Sequence, residues 1–495
     1  KWLVECLKAS KTVPVLECHM LKQAEKLSSD IDKTKVYTEI PEWACQRGAK
    51  LEHCNKKLTD ALEILQQHAE LRDAPQDYSR ALAFRRASCV LKSLPFAVNY
   101  PSQLDGLKDI GGHVRRVITD ILDNGSSSEV EEIVNSQWFH QMKTFTSIFG
   151  VGSATAKNWI SRGWETVEAV RQAGYTSGDW RLNWGLAFYE DLTNPVSQQE
   201  ADTFTSIVRR EAEKVLPGTI VTLTGGFRRG KLTGHDVDIL ITHPKEGEEI
   251  GLLPRLLSAL TKKDLVLIGH REKNSYRPDI LYQNSSSSMK GQLDHFEKWL
   301  GICKFPKSCH EPSASDSGTD QIAFSKSETK NISSGVGNDV SRLDALTAEH
   351  CESSKTLNPL NCSNKDCSSN QVEDYVNFDD SFDDILEPQF KKSKLGDKTD
   401  RQPTLVAGSQ RNWLARRVDL IVSPYSQYYF ALFGWTGSKH FNRDTRLYAQ
   451  KILGMKLTSH GLYDMKQQLP LSASSEEDVF THLHLPYRGP TDRNC

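Results

Sequence analysis

No stretch of the 495-residue sequence holds 18 consecutive apolar residues, so nothing in it reads as a membrane-crossing helix. Nor is there a surplus of basic charge. The 62 Lys and Arg against 64 Asp and Glu give a formal net charge of −2, which speaks against a protein that coats nucleic acid over its whole surface. No internal repeat accounts for the chain, although two glycine-centred turns resemble each other. The cysteines show no repeated spacing. The 11 of them (Cys6, Cys18, Cys45, Cys54, Cys89, Cys303, Cys309, Cys351, Cys362, Cys367 and Cys495) are an odd number that cannot pair completely, which favours a reduced intracellular setting. His310, His350, Cys351, Cys362 and Cys367 match no common zinc-ligand spacing.

What is present is 38% hydrophobic and 25% charged residues with 10 Trp, enough apolar material for several folded domains at this length. The charge is unevenly placed. Residues 306–409 carry 11 basic against 18 acidic residues, about −7, leaving about +5 for everything else, as expected of positive charge confined to one groove. That stretch, rich in Ser, Asn, Asp and Lys, reads as a disordered insertion. Within it, Lys391-Lys392-Ser393-Lys394 is a basic cluster that could serve nuclear import or be a solvated charge run. The chain starts at Lys1 inside an amphipathic helix, which reads as a fragment boundary.

Residues 25–50 are polar and read as a linker after a short N-terminal piece, 1–24. Helical periodicity then runs from Leu58 through Leu94 in a unit extending to 133, and a second helical unit covers 134–194. From 195 the pattern is α/β. An apolar helix face ends at Pro217-Gly218, and strands are expected at Thr219–Leu223, Val237–Ile241, Leu265–Ile268, Ile302–Phe305 and Val418–Val422, with a loop at 269–291. Residues 425–495 form a compact C-terminal domain.

Asp236-Val237-Asp238 lies in an apolar strand, so the two-residue period puts both carboxylates on one face and Val237 with Ile239 on the other. Hard oxygen ligands so placed suit Mg²⁺ and phosphate chemistry, although Asp-x-Asp alone also describes a solvent-facing pair at a strand end. Ten residues upstream, Gly225-Gly226-Phe227-Arg228-Arg229-Gly230-Lys231 follows a strand. Its glycines allow close backbone approach to phosphate, and Arg229 and Lys231 can neutralise it; the plain alternative is a hairpin turn with exposed cations. A third acid, Asp419 in Arg417-Val418-Asp419-Leu420, sits in another apolar strand, as a further metal ligand and acceptor of a hydroxyl proton or as a salt-bridge partner of Arg417. Leu107–Gly112 and Phe149–Ala154 are candidate helix-hairpin-helix turns. Gly111, Gly150, Val151 and Gly152 there would offer backbone amides to DNA phosphates; for the first, a plain interhelical turn is the alternative.

Together, Gly-Gly-Phe-Arg-Arg-Gly-Lys, Gly234-His235-Asp236-Val237-Asp238, Arg-Val-Asp and Gly434-Trp435-Thr436-Gly437-Ser438 resemble the family X DNA polymerases over nearly the whole chain outside 306–409, nearest the mu-type branch and next the terminal transferases. The resemblance implies a multidomain α and α/β protein: a helical 8-kDa-like domain (51–133), helical fingers (134–194), a nucleotidyltransferase palm with a mixed β-sheet (195–424) and a small α+β thumb (425–495). It further implies two Mg²⁺, with Mn²⁺ as an alternative, on Asp236, Asp238 and Asp419. Gly225, Gly226, Arg229, Lys231 and His235 would hold the triphosphate, Gly434 and Trp435 the sugar, and Lys439 and Asn442 the base. Arg417, Arg443 and Arg446 would touch DNA, and Na⁺ or K⁺ would sit at the hairpin turns. Gly434, where many members carry Tyr, implies tolerance of ribonucleotides. Val117, where lyase-active members carry a lysine nucleophile, implies no deoxyribose-phosphate lyase activity. Residues 1–24 resemble the last helix of a BRCT domain, which in its complete form implies recruitment by the Ku heterodimer and the ligase complex in the nucleus.

Overall fold

The computed structural model describes residues 40–276, 294–306 and 411–495. The BRCT-like piece, the first part of the expected linker, most of the 269–291 loop, the import cluster, the His310 and His350 group and nearly all of 306–409 lie outside the described residues. Among those described, no helix is long and apolar enough to cross a membrane.

The helical part comprises α1 (Lys56–Arg72), α2 (Pro75–Ser93), α3 (Gly112–Asn124), α4 (Ser128–Asn135), α5 (Gln137–Thr146), α6 (Ser153–Ser161), α7 (Val167–Gln172), α8 (Trp180–Ala187) and α9 (Tyr189–Thr193). One continuous apolar core serves it. Leu58, Leu62 and Leu65 of α1 meet Phe84 and Val90 of α2, and the cluster runs on through Phe145 and Trp159 to Leu186, so the two helical units pack on one another. Val117, on the inner face of α3, lies in this core at 1% exposure.

The palm is built on five strands: β2 (Ile220–Leu223), β4 (Asp236–Thr242), β5 (Val266–Glu272), β6 (Glu297–Pro306) and β7 (Trp413–Val422), after a short pairing of β1 (Val196–Ser197) with β3 (Thr233–Gly234). The sheet order is β2-β4-β7-β6-β5; β4 and β7 run parallel and the other pairs antiparallel. The helices α10 (Gln198–Val215) and α12 (Leu252–Lys262) cover one face, where Phe204 stacks on Phe305 at 4.2 Å. Ser197 and Glu200 close a capping box at the start of α10, and the same Glu200 takes the buried Arg416 of β7 at 3.0 Å, which fixes the helix against the central strand. Most strand boundaries differ from expectation: β4, β6 and β7 begin earlier, at Asp236, Glu297 and Trp413, and β2 begins later, at Ile220. Residues 269–272 continue β5 instead of opening a loop; Leu265 precedes the strand; and Pro306 ends β6 instead of beginning the insertion. Strands are prolonged because their partners are long: β6 pairs with β7 over ten residues, a length set by neighbours rather than by local propensity.

The thumb joins α13 (Tyr428–Thr436), α14 (Lys439–Tyr448), the antiparallel β8 (Met455–Thr458), β9 (Gly461–Asp464) and β10 (Leu469–Leu471), and α15 (Glu476–His482) around Phe433, Phe441 and Phe480. The second half of the expected linker is packed, not free. Ala44 and Cys45 are buried, the Ala44 amide donates to Asp444, Trp43 meets Tyr448 edge-on, and Ala49 pairs in parallel with Arg493. The polar look of residues 25–50 hid this because only a few small side chains make the contact.

Candidate active site

The parallel register of β4 and β7 sets Asp238 directly opposite Asp419 and Asp236 opposite Arg417. Directly opposed residues share a face, so the three acids project together while Val237, Ile239, Val418 and Leu420 pack into the core beneath. Asp419 is 7% exposed. Burial pushes its carboxyl up to about 7, an effect that Arg417 opposes and Asp236 reinforces; burial and then the charges of Asp236 and Asp419 push Asp238 well above the usual carboxylate range. Such a pair calls for cations, and an all-oxygen donor set suits hard divalent ones. Asp236 meanwhile leans on Arg417, 3.6 Å away, and among the described residues no three His, Cys, Asp or Glu stand in a ready metal-holding arrangement. Closing the set requires Asp236 to exchange Arg417 for metal. Subject to that movement the residues fit divalent metal, which would supply charge neutralisation at phosphate oxygens.

The glycine turn is tied to these acids physically. β2 runs into Thr224, whose amide and hydroxyl both donate to the Asp238 carbonyl, and the chain then turns into the single helical turn α11 (Gly225–Arg228). Gly225 has φ +61°, and a Cβ there would lie 2.2 Å from Asp238 Oδ2. Glycine is needed to seat the carboxylate, a tighter role than the expected phosphate contact. At Gly226 a Cβ would meet the flexible Lys231 side chain at 3.1 Å and Arg229 Nη2 at 3.9 Å. Arg229 donates Nη1 to the Thr436 carbonyl at 2.5 Å and Nε to Asn494 Oδ1 at 3.1 Å, so it bolts the turn to the thumb while its charge faces the acids. Lys231 is held below its ordinary range by burial and by the neighbouring Arg229 and Lys92 cations, as befits an ammonium waiting for an anion. His235 is exposed between β3 and β4, beside the first aspartate.

On the thumb side, Gly434 serves packing as well as space. A Cβ on it would strike Ser459 Oγ at 2.6 Å, so the missing side chain points toward the β8–β9 hairpin. Asn442 donates Nδ2 to the Gly434 carbonyl at 2.6 Å, which places it as a support of Gly434. Its Oδ1 and Trp435 Nε1 remain buried without a hydrogen-bond partner, two orphaned polar atoms next to Gly434 of the kind a bound nucleotide would satisfy. Lys439 is the half-buried first residue of α14, and Arg443 lies one turn on. Arg446 is near Asp294, its guanidinium pushed down to about 10 by burial.

The hairpin turns differ from each other. Gly111 caps α3 and, with Gly112, is exposed with open space where a Cβ would stand, leaving room for a phosphate at the helix start. Gly150 is required by close packing: at φ +86° a Cβ would sit 2.6 Å from the Leu182 amide nitrogen. Gly152 caps α6. Val151 is buried and its amide donates to the Ile148 carbonyl, which holds the turn. Arg417 lies over the Phe149 ring at 4.7 Å and 3.6 Å from Asp236, joining this turn to the acids.

Models of four family domains match in chain order: a helix-hairpin-helix domain at 53–127, the fingers domain of DNA polymerase lambda at 143–193, the DNA polymerase beta palm at 196–330 and the DNA polymerase beta thumb at 431–494. Over its entire length the chain is 35% identical to human DNA-directed DNA/RNA polymerase mu, covering 79% of that protein. The chain belongs to the family X DNA polymerases. The DNA nucleotidylexotransferases of Xenopus laevis and Homo sapiens are 32% and 31% identical over the same full span, again with 79% of the relative covered. This family X enzyme therefore carries out nucleotidyl transfer to DNA on a beta-like palm.

Two contributors were missed in the sequence. Lys298, at 6% exposure on β6, shares the face of Asp419 through the Leu300–Asp419 pairing and meets Glu272 at 3.5 Å. Residues 296–305 carry Glu297, Lys298 and Lys304, so nothing in the sequence singled out Lys298. Arg228, adjacent to the assigned Arg229, instead binds Glu476 and Thr436 of the thumb, and adjacent arginines gave no basis for dividing those tasks.

Proposed function

We propose that the enzyme is a template-tolerant, gap-filling DNA polymerase that acts in the nucleus on double-stranded ends and short gaps during double-strand break repair by non-homologous end joining, using dNTPs and also rNTPs. The observation that carries the chemistry is the Asp238–Asp419 pair seated against Gly225, with Arg229 and Lys231 behind it. By the resemblance, Asp236, Asp238 and Asp419 would share two Mg²⁺, or Mn²⁺, and the primer 3′-oxygen would attack the α-phosphate in line. Gly434 and the 35% identity to a protein whose name includes both DNA and RNA support the use of ribonucleotides. Gly111 and Gly152, at the starts of their helices, are the DNA-backbone contacts, with Na⁺ or K⁺ at the turns, and Arg443 and Arg446 face the template. The Ku heterodimer and the ligase complex are the expected protein partners, through a complete BRCT domain.

A terminal-transferase reading stays open on the 31–32% identity to nucleotidylexotransferases over the same residues. Extension of a primer in a short gap, compared with an unpaired single strand, separates the two: a gap-filling enzyme extends the first strongly and leaves the second short, whereas long untemplated tails refute gap filling. Asp419→Ala should abolish incorporation in both assays, and retained synthesis would overturn the metal assignment.

A further inference from the structure

A cavity of about 210 Å³ lies between the helical part and the phosphate turn. Helix α1 lines it with Lys56, Asp60 and Glu63 and α2 with Lys92, while the palm contributes Arg229 and Lys231 and the thumb Ser438 and Asn494. Lys56, Asp60 and Glu63 are exposed, so α1 forms a lip that opens the cavity to solvent. Neither Lys56 nor Lys92 is among the triphosphate-holding residues.

The lining carries four cationic side chains against two carboxylates, an excess of positive charge. Both carboxylates are held by lysines of the helical part: Lys56 meets Asp60 at 3.0 Å and Lys92 meets Glu63 at 2.8 Å. Arg229 spends its donors on Thr436 and Asn494 yet keeps its charge. The Lys231 ammonium makes no ion pair or hydrogen bond among the described residues, and it belongs to both places: Asp236 acts on it from the side of the metal acids, Glu63 and Lys92 from the side of the helical part.

Nucleotidyl transfer makes an anion that must depart. The bond from the primer 3′-oxygen to the α-phosphorus forms and the bond from that phosphorus to the α–β bridging oxygen breaks; the electron pair leaves on pyrophosphate, and the hydroxyl proton passes to solvent. Pyrophosphate leaving straight into water would have to shed Arg229 and Lys231 at once, whereas further cations along the way let it exchange one partner for the next. We propose that the cavity is a product subsite for inorganic pyrophosphate, which passes from the phosphate turn along Lys231 to Lys92 and Lys56 and out over the α1 lip. Glu63 keeps the hold weak, because its ion pair with Lys92 competes with the anion and favours release. The proposal rests on nucleotidyl transfer alone, not on the choice between gap filling and terminal transfer.

The test measures steady-state incorporation by the full chain on whichever primer it extends, gapped or unpaired, with inorganic pyrophosphate added at fixed free Mg²⁺ over a range of dNTP concentrations. Pyrophosphate confined to the place of the nucleotide's own phosphates inhibits competitively. Pyrophosphate in the cavity also slows turnover at saturating dNTP, because it blocks the way of the next one. The expected result is that this dNTP-insensitive inhibition is present in the parent protein and weakens about tenfold in Lys92→Ala, the loss of one charged contact to the anion. Without pyrophosphate, kcat and the KM for dNTP of that variant should stay within about twofold of the parent values. Glu63→Gln, which frees the Lys92 ammonium, should strengthen the same inhibition roughly threefold. Opposite shifts in two paired residues do not arise from a folding defect. Purely competitive inhibition of the parent, a dNTP-insensitive inhibition that Lys92→Ala leaves unchanged, or shifts of the same sign in both variants overturns the proposal. Since either primer serves, the outcome is independent of gap filling.

Discussion

Gly225→Ala is the sharpest probe of how the phosphate turn and the metal acids are joined. The added methyl would stand 2.2 Å from Asp238 Oδ2 and 3.2 Å from its Cγ, on a backbone at φ +61°. An ordinary carbon–oxygen contact is roughly 3.2 Å, so the carboxylate or the turn must give by about 1 Å, and the left-handed backbone adds about 1–2 kcal/mol of strain for alanine. Two amide and hydroxyl donors from Thr224 hold the Asp238 backbone, so the side chain is the part that moves. Displacement on that scale costs roughly a hundredfold in rate when it falls on a group that must be placed to a fraction of an ångström. Single-turnover incorporation on gapped DNA should therefore slow by about two orders of magnitude, with a raised Mg²⁺ requirement and a stability loss of about 2 kcal/mol. Gly178→Ala is the control: a methyl there meets nothing within 4 Å, so its rate should stay within about threefold of the parent protein. A Gly225→Ala protein as fast as Gly178→Ala would refute the idea that this glycine exists to seat Asp238.

Three further outcomes follow from the same contacts. Gly434→Ala drives its Cβ to 2.6 Å from Ser459 Oγ and should lower the melting temperature, with Ser459→Gly in the same chain recovering most of the loss; no recovery would mean the glycine is needed elsewhere. Glu476 is shared by Arg228 at 3.0 Å and Arg493 at 2.7 Å, so Glu476→Gln should cost about 3 kcal/mol in urea titration by leaving buried cations short of charge. His460 accepts the His295 amide on Nε2 at 2.7 Å, so its Nδ1 carries the proton given to Gln427, and burial pushes the ring down to about 3. The unfolded chain then binds a proton below about 6.5 that the folded one refuses, so stability is complete above that pH and declines toward pH 3 by at most about 5 kcal/mol; His460→Gln should flatten the decline, and an unchanged slope would exclude His460 as its source.

The acids were legible because strand alternation is a local rule: Asp-x-Asp in an apolar run places both carboxylates on one face whatever surrounds the strand. That Asp419 stands beside Asp238 was not, since the parallel pairing joins residues about 180 apart and no local pattern sets its register. Arg417 shows the limit from the other side. Its position two residues before Asp419 suggested a partner for that acid or for DNA, yet the register gives it to Asp236 and the crossing of fingers and palm gives it Phe149. At Val151 the glycine-flanked pattern does not reveal that the amide donates to the Ile148 carbonyl within the turn.

The packed second half of the 25–50 segment leaves little trace in its composition. Composition detects a core by the mass of apolar residues, and Trp43, Ala44, Cys45 and Ala49 are too few and mostly too small to register. Their burial comes from what they are set against: Tyr448, the Asp444 carboxylate and the Arg493 backbone, all about 400 residues later. A segment of that kind ties the two ends of the polymerase together with little buried area, through backbone pairing and one carboxylate. Fewer backbone bonds hold that contact than hold the palm's ten-residue β6–β7 ladder, so hydrogen exchange at Ala49 should be faster than at Ile302; equal protection at the two would refute this ranking.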